Sequence, residues 1–376
     1  MKGLSELQTA IRDTVRAFAQ ETIRPHSARF EAEGGYPPAL FEEMAGLGLW
    51  GMTAPEAFGG AEADAVSYAL ALMEIAAADG ALSTIVSIQN SILVSGLLKD
   101  GSDAQKARFL PDLIGGRTIG AFALTEADAG SDASAVRTRA VKVEGGWRIT
   151  GAKQFITSGR IAGLVMIIAV TDPEAGKKGL SAFIVPTDRP GYAVDKVEHK
   201  MGQGASDTCA LRFDDMFVED DLLIGAPGQG YRIALANLET GRIGIAAQCV
   251  GMAQAALEIA VAYAKDRKSF GKAIIEHQAV GFRLADLAAR LEAARQLVFH
   301  AARVKDQGLP CLTEASMAKL FASETAEIVV SGALQTLGGY GYLEEYGVAK
   351  IYRDVRVCQI YEGTSDIQRM VIARSL

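Results

Sequence analysis

A single carboxylate near the end of the chain, Glu362, stands in an apolar and aromatic stretch that could adapt it to proton transfer. It follows Ile360 and Tyr361 and precedes Gly363. Apolar neighbours remove water from a carboxylate and raise its affinity for a proton, and a positioned, desolvated carboxylate can abstract a weakly acidic carbon-bound proton. Glycine directly behind it lets the backbone pass close to a ligand. The alternative is an ion-paired structural carboxylate, which is the commoner case.

Two segments in the middle of the chain carry residue types that could contact a large polar ligand. Residues 122–132 combine small residues with the hydroxyls of Thr125 and Ser131, a pattern that would suit a flavin or a pyrophosphate. In residues 154–159, Phe155 stands two positions before Thr157. The Phe155 ring could stack on a planar ring system, and the Thr157 hydroxyl could hydrogen-bond to the edge of that system. The alternatives are a polar loop and an ordinary strand end.

Two later segments could hold phosphate groups. Arg267 and Lys268 precede Phe270, which favours either a phosphate clamp beside an aromatic ring or cations at a helix C-terminus. Gly338 and Gly339 could hold the chain open for a diphosphate, or could simply end a helix. Neither this stretch nor the earlier Gly-X-Gly fragment is a Rossmann signature, because neither follows a strand within a βαβ unit.

The bulk properties favour a soluble globular protein of two or three domains. The chain has 376 residues, of which 49% are apolar and 22% charged. A net charge of −7 and a pI near 5.3 give no sign of a basic surface for nucleic acid or an anionic membrane. Residues 1–6 show no apolar signal core, and no uninterrupted apolar run has the length of a membrane span.

Cysteine and histidine are too scattered to indicate a metal site or a redox motif. The cysteines form no CxxC pair, which is typical of reduced thiols in a cytosol-like compartment, and the histidines form no zinc-type ligand set. The residues concerned are Cys209, Cys249, Cys311 and Cys358, and His26, His199, His277 and His300.

Hydrophobic periodicity divides the chain into three parts, for which we predict domains at 1–117, 118–225 and 226–376. The first part is helical, with a capping box at Ser5 and Gln8, a helix starting at Pro38 and two buried helices within 65–98. The second has the period of strands, including a hairpin turn at 144–146, and favours an antiparallel barrel or sandwich. The third contains long helices at about 230–265, 277–305 and 312–337, which predict a bundle.

Taken together and in this order, these segments resemble the acyl-CoA dehydrogenase family of flavoenzymes over nearly the whole chain. The resemblance lies in residues 124–132, 155–157, 200–202, 213–215, 238–242, 267–271 with 277–278, 335–339 and 361–364. It implies an α+β protein with an N-terminal α-helical domain, a middle antiparallel β domain and a C-terminal four-helix bundle. It also implies FAD bound between the β domain and the bundle, in a homotetramer (a dimer of dimers) whose Arg267 segment reaches the FAD of a neighbouring subunit.

The resemblance also assigns roles to individual residues. Glu362 matches the catalytic base of the family. The positions that match acyl-CoA contacts are Ser131, Glu239, Arg242 and Gly363. The positions that match flavin contacts are Phe122, Leu124, Thr125, Gly130, Ser131, Phe155, Ile156, Thr157, Arg267, Phe270, Gln278, Gln335, Leu337, Gly338, Gly339, Thr364 and Asp366.

The implied reaction is α,β-dehydrogenation of an acyl-CoA thioester to the trans-2-enoyl-CoA. Glu362 would remove the pro-R α proton while the β hydrogen leaves as hydride to flavin N5, and hydrogen bonds from the Glu362 N–H and a ribityl hydroxyl would stabilise the developing enolate. Electrons would pass to an electron-transferring flavoprotein. The implied compartment is a bacterial cytosol, or a mitochondrial matrix for a processed chain, and the implied pathways are fatty acid β-oxidation and branched-chain amino acid degradation.

Some positions depart from the family pattern or narrow it. Ala127-Asp128 replaces a commoner Pro-Gly pair, and Phe155 stands where Trp is more usual. Gly241 stands where members with a relocated base carry Glu, which favours Glu362 as the base. Gly241 and residues 87–91 are most similar to short-chain and short branched-chain members.

Three alternatives remain at this stage. A same-fold oxidase would pass electrons to oxygen, and the sequence does not separate it from a dehydrogenase. A non-enzymatic, nucleic-acid-binding relative would need a basic face, of which a chain with net charge −7 gives little sign. A nicotinamide-dependent Rossmann dehydrogenase disagrees with the predicted order of elements.

Overall fold

A computed structural model describes residues 3–376 and has a sheet between two helical regions. The helices of the first region end at Ile114, the strands begin at Gly120, and the long helices begin at Gly230. This order confirms the predicted fold class, while the domain boundaries at 117/118 and 225/226 stay a prediction. Met1 and Lys2, part of the start that was predicted to lack a signal core, lie outside the described residues.

The N-terminal region packs short amphipathic helices around two buried ones. The predicted capping box is present, since the Ser5 hydroxyl accepts from the Gln8 N–H and the Gln8 side chain accepts from the Ser5 N–H. The predicted pair of buried helices is also present, and the second continues through a π-helical stretch, Gln89–Val94, to Asp100. The helices are α1 (Glu6–Phe18), α2 (Ser27–Glu33), α3 (Pro38–Gly46), α4 (Ala65–Ala78), α5 (Gly80–Ile88), α6 (Ser95–Asp100) and α7 (Asp103–Ile114).

The middle region is a mixed sheet, so the prediction of a wholly antiparallel domain is wrong in one respect. Most neighbouring strands are antiparallel, but β1 and β2 each pair with β4 in parallel. The β2–β3 hairpin lies between β1 and β4 in the chain, and this long connection lets β4 return in the same direction as β1. The strands are β1 (Gly120–Ala123), β2 (Arg139–Val143), β3 (Gly146–Thr157), β4 (Leu164–Val170), β5 (Leu180–Pro186), β6 (Tyr192–Val197), β7 (Thr208–Glu219) and β8 (Leu223–Ile224).

The C-terminal region is built on three long helices, as the periodicity predicts. The third has the predicted bounds, the first ends one residue later than predicted, and the second begins and ends one residue later than predicted. A short hairpin separates the first two helices. The elements are α8 (Gly230–Asp266), β9 (Lys268–Ser269), β10 (Lys272–Ala273), α9 (Gln278–Asp306), α10 (Leu312–Leu337), α11 (Val348–Val355) and α12 (Ser365–Ala373).

Two helical segments are long and apolar enough to cross a membrane by length and composition. In the most apolar 18-residue stretch of Gly80–Asp100, 83% is buried inside the protein, and in the corresponding stretch of Gly230–Asp266 the share is 72%. Burial of this extent is the pattern of core helices in a globular protein. The two segments pack closely against each other: a Cβ on Gly244 of α8 would lie 2.4 Å from the Ser87 hydroxyl oxygen of α5, so glycine permits that approach.

A buried polar junction joins the N-terminal helices to the rest of the chain. Asp79, which is 2% exposed, caps α5 by accepting from the Leu82 N–H at 2.9 Å. The same carboxylate accepts from the hydroxyls of Ser27 and Tyr36. Each carboxylate oxygen therefore has a protein partner, as a buried charge requires.

Lys350 completes this junction from the C-terminal side. Its ammonium lies 2.6 Å from the Asp354 carboxylate and 3.6 Å from that of Asp79. Asp354 also accepts from the Gln203 N–H, in the segment that follows β6. Burial alone would lower the pKa of Lys350, but Asp79 and Asp354 together raise it, so the ammonium is charged throughout the neutral range.

Removing the Lys350 charge should therefore destabilise the fold. We expect Lys350→Met to cost about 3–5 kcal/mol, because it leaves buried carboxylates without their cation. Lys142→Met is the matched control, since Lys142 pairs with Asp220 across an exposed surface, where about 0–1 kcal/mol is expected. Thermal unfolding of the flavin-loaded proteins checks this, and equal midpoint losses in the two variants would contradict it.

Candidate active site

A cleft between the sheet, α8 and the turn before α12 brings together half of the predicted site residues. Phe122 lies on β1, Phe155 on β3, Arg242 on α8 and Glu362 in the turn. Apolar side chains from the N-terminal helices and α8 line the rest of it, among them Ile88. The predicted residues that line this cleft are Phe122, Leu124, Thr125, Gly130, Ser131, Phe155, Ile156, Thr157, Arg242, Glu362 and Gly363.

Glu362 sits in a left-handed turn that aims its carboxylate at α8. The φ angles of Glu362 and Gly363 are 54° and 85°, and Thr364 then caps α12 by accepting from the Ile367 N–H. A positive φ is costly for any residue with a side chain, so surrounding contacts must hold the turn. Gln368 supplies two of them, donating from Nε2 to the carbonyl oxygens of Glu362 and Gly363 at 3.1 and 2.9 Å.

One oxygen of the Glu362 carboxylate is buried over a glycine. Its Oε2 is buried and has no hydrogen-bond partner within residues 3–376. A Cβ on Gly241 would lie 2.9 Å from Oε2, so glycine leaves the space that the carboxylate occupies. Burial raises the pKa of Glu362 to about 7, although Lys319 and Arg242 act to lower it. The group can therefore exist both with and without its proton near neutral pH.

Two buried cations flank this carboxylate. Arg242 is 5% exposed, donates from Nη1 to the Ser316 hydroxyl at 3.1 Å, and has no partner for its buried Nε among the described residues. Lys319 of α10 is fully buried and donates from Nζ to the Gly363 carbonyl oxygen at 2.7 Å. Lys319 could not be recognised from the sequence, because one lysine in an apolar helix carries no motif.

A bulge in β3 presents an aromatic ring to the cleft. The register between β3 and β7 shifts between Lys153 and Ile156, and within this shift Phe155 takes a φ of 59°. Its side chain is 63% exposed at the cleft. An aromatic face held open in this way is suited to stacking on a planar ring.

A buried ion pair fastens the two segments that the sequence assigned to flavin contacts. Lys153 of β3 is 1% exposed and donates from Nζ to the Leu124 carbonyl oxygen and to Glu126 Oε1, both at 2.9 Å. Burial lowers the pKa of Lys153 to about 8, against the opposing effect of Glu126. The same Glu126 carboxylate accepts from the N–H groups of Arg137 and Thr138, which fixes the loop after β1.

The groups along these segments fit a flavin. Thr125, Ser131 and Thr157 line the cleft, and their hydroxyls have no protein partner in the part of the chain that the structure describes. A Cβ on Gly130 would meet nothing within 4 Å, so the backbone there faces open space. Unpaired donors and acceptors beside an open aromatic face suit a planar ring system with polar edges.

A second concavity holds other predicted flavin contacts and is separate from the first within one chain. It is lined by Arg267, Leu337, Gly338 and Gly339, and the Arg267 guanidinium lies 6.0 Å from the centre of the Tyr340 ring. Arg267 directly follows α8 in extended conformation and precedes the β9–β10 hairpin.

The remaining predicted contacts line neither concavity. Gln278 begins α9 and Gln335 lies in the last turn of α10, both exposed, and Phe270 is exposed at the tip of the β9–β10 hairpin. The others have partners nearby and stay predictions as ligand contacts: Thr364 with Ile367, Asp366 with Arg369, and Glu239 with Cys311.

Comparison with known families covers nearly the whole chain. Residues 5–117, 121–216 and 228–376 match the models of the N-terminal, middle and C-terminal domains of acyl-CoA dehydrogenase, respectively. The short-chain specific acyl-CoA dehydrogenase of Bos taurus mitochondria is 43% identical, over 99% of this chain and 90% of its own length.

Solved structures agree with these matches. Butyryl-CoA dehydrogenase from Megasphaera elsdenii superposes with a TM-score of 0.97 at 38% identity, covering 100% of this chain and 99% of that one. A chain from a structure described as the electron transferring flavoprotein of Acidaminococcus fermentans superposes with a TM-score of 0.98 at 39% identity, covering 100% and 99%. The chain belongs to the acyl-CoA dehydrogenase family.

Proposed function

We propose that this protein converts acyl-CoA thioesters to trans-2-enoyl-CoA with Glu362 as the base that removes the α proton. As a member of its family it is an oxidoreductase that uses FAD. The observation that carries the proposal is the buried Oε2 of Glu362, unpartnered within the described chain and with a pKa raised to about 7, beside a cleft that fits a flavin. A carboxylate with this pKa can take a proton at neutral pH and release it afterwards.

The backbone of the same turn supports stabilisation of the enolate. The Glu362 N–H donates no hydrogen bond within residues 3–376, although the carbonyl oxygens of Glu362 and Gly363 are both held. We assign this free N–H to the thioester carbonyl oxygen, where negative charge develops as the α proton leaves. When bound, FAD accepts the β hydrogen as a hydride. Two hydrogens thus leave the substrate, one as the proton on Glu362.

The substrate is proposed to carry a short acyl group, straight or branched. Support comes from one wall of the cleft, where Thr84 and Tyr361 belong to a hydrogen-bonded layer. Thr84 donates to Gln203 at 2.8 Å, and the Tyr361 hydroxyl donates to the Gln248 side-chain oxygen. A longer acyl chain would have to break this satisfied polar layer, which is costly in a buried site. The resemblance to short-chain and butyryl-CoA dehydrogenases supports the same preference.

The electron acceptor is proposed to be an electron-transferring flavoprotein, and the assembly a homotetramer. The similarity to a chain in the Acidaminococcus fermentans structure supports the first assignment. The second concavity, at Arg267 and Gly338, lies apart from the Glu362 cleft, as expected if it completes the flavin site of a neighbouring subunit. The proposed compartment is a bacterial cytosol or a mitochondrial matrix. Oxygen uptake with acyl-CoA at the rate of flavin reduction would favour the oxidase alternative instead.

The sharpest test of the base is Glu362→Gln. Glutamine keeps the shape of the side chain but lacks the basic oxygen, so butyryl-CoA should still bind and perturb the flavin spectrum. Anaerobic flavin reduction, followed by stopped-flow absorbance, should slow by about two to four powers of ten.

The exposed Glu345→Gln is the matched control and should reduce at the wild-type rate. A folded, FAD-loaded Glu362→Gln enzyme that butyryl-CoA still reduces at close to the wild-type rate would refute the assignment.

The pH dependence of flavin reduction follows from the same group. Because the raised pKa of about 7 must be exceeded before the carboxylate is free to accept a proton, kcat/KM should rise with pH through an inflection near 7. It should fall about tenfold for each pH unit below the inflection. An inflection near 4.5, the ordinary pKa of glutamate, would show that water reaches the carboxylate and that its pKa is not raised.

Arg267→Ala tests the shared flavin site. If Arg267 binds a phosphate of the neighbouring subunit's FAD, its removal should weaken FAD retention and loosen the oligomer together, since a bidentate charge-assisted contact is lost. FAD release during gel filtration and sedimentation velocity measure the two effects. Lys268→Ala, one residue further along the chain, controls for the loss of a positive charge. Unchanged FAD affinity in Arg267→Ala would show that Arg267 acts only as a cation at the end of a helix.

A further inference from the structure

Lys319 is a buried cation to which the reaction proposed above gives no role. It lies in the middle of α10 and is 0% exposed. Its ammonium has one hydrogen-bond acceptor among the described residues, the Gly363 carbonyl oxygen at 2.7 Å. One neutral acceptor does not offset the desolvation of an ammonium group, so the charge needs a further compensating interaction.

The carbonyl group that Lys319 holds belongs to the turn that carries Glu362. Both residues of that turn have positive φ, 54° at Glu362 and 85° at Gly363. Its two carbonyl oxygens are held from α10 by Lys319 and from α12 by Gln368. Lys319 is the only one of these two clamps that carries a charge, and it approaches from the helix that packs against α8 and α12.

We propose that Lys319 is a positioning residue for the base. Its ammonium group fixes the left-handed turn through Gly363, and its charge favours the ionised form of the Glu362 carboxylate. This inference rests on the proposed function, because it assigns Lys319 a part in presenting the base to the α proton. The Glu362 carboxylate in turn helps to offset the burial of Lys319, together with the buried thiols of Cys249 and Cys358.

Other charged and titratable groups also face this pair. From α8, Arg242 faces the carboxylate as a second cation, and from α4 the Tyr68 hydroxyl interacts with it as a neutral group. Burial lowers the pKa of Lys319, and the neighbouring thiols of Cys249 and Cys358, followed by Glu362, oppose that effect.

Removal of Lys319 should therefore favour the protonated form of Glu362. Lys319 and Arg242 both lower the pKa of the carboxylate, so loss of one cation raises it. The base is active only after it has lost its proton. The pH profile of flavin reduction must then move to higher pH, and the rate that is lost at neutral pH must return in alkaline solution.

The test is the pH profile of anaerobic flavin reduction by butyryl-CoA in Lys319→Met and Gln368→Met. Lys319→Met removes the charge and the hydrogen-bond donor. The inflection of its pH profile should lie at least about one pH unit above the wild-type value, which corresponds to about a tenfold loss of rate at low pH. Gln368→Met removes a neutral clamp, so its rate should fall without such a shift. Lys142→Met, a surface charge, should match the wild type. A Lys319→Met inflection at the wild-type position would overturn the proposal.

A stability measurement keeps the test decisive if Glu362 is not the base. At pH 8.5, Lys319→Met should lower the thermal midpoint of the FAD-loaded protein more in the wild-type background than in the Glu362→Gln background, because only the former leaves a carboxylate without its cation. Equal losses in the two backgrounds would overturn the charge pairing. Normal flavin reduction in Glu362→Gln would refute the proposed function and, with it, the positioning role of Lys319, but not the charge pairing. If Lys319→Met fails to hold FAD in both the wild-type and the Glu362→Gln backgrounds, Lys319 is a purely structural residue. That result would also overturn the proposal.

Discussion

The site depends on one constraint: a carboxylate must be kept out of water and still be able to lose its proton. Glu362 satisfies the first condition by lying over Gly241, where any side chain would collide with Oε2. It satisfies the second through the buried charges of Lys319 and Arg242, which oppose the effect of burial on its pKa. The turn alone meets neither condition. The carboxylate therefore needs α8 and α10 to be packed against it before it is suited to proton transfer.

The junction of polar groups behind the cleft explains how three parts of the chain are held in register at this point. Tyr361 donates to Gln248 of α8, and Gln203, which follows the sheet, donates toward Tyr361 and to Asp354. Asp354 pairs with Lys350, whose ammonium also faces the cap of α5. The residue next to the proposed base is therefore tied to each region of the fold. Rigid support of this kind is what a base needs if it must meet a carbon-bound proton in one orientation.

Elements with a strong period were predictable from the sequence, and contacts between elements were not. The bounds of α10 follow from its apolar repeat alone, and the capping box at Ser5 follows from local residue types. Glu362 could be proposed from the sequence because its apolar neighbours adjoin it in the chain. Lys319 was missed because its partner is brought to it only by packing. The parallel pairing of β1 with β4 was missed for the same reason, since strand direction is set by the path of the chain.

The exposed tip of the β9–β10 hairpin bears on how the flavin site is completed. Phe270 is 97% exposed at a φ of 49°, and Gly271 beside it has a φ of 82°. A single chain gains nothing from presenting a large aromatic side chain to water on a turn held in a costly conformation. Arg267 at the base of the same hairpin faces a concavity away from Glu362. Both features are accounted for if the hairpin packs on another subunit, because that contact would bury the ring and bring Arg267 to a flavin that its own chain does not hold.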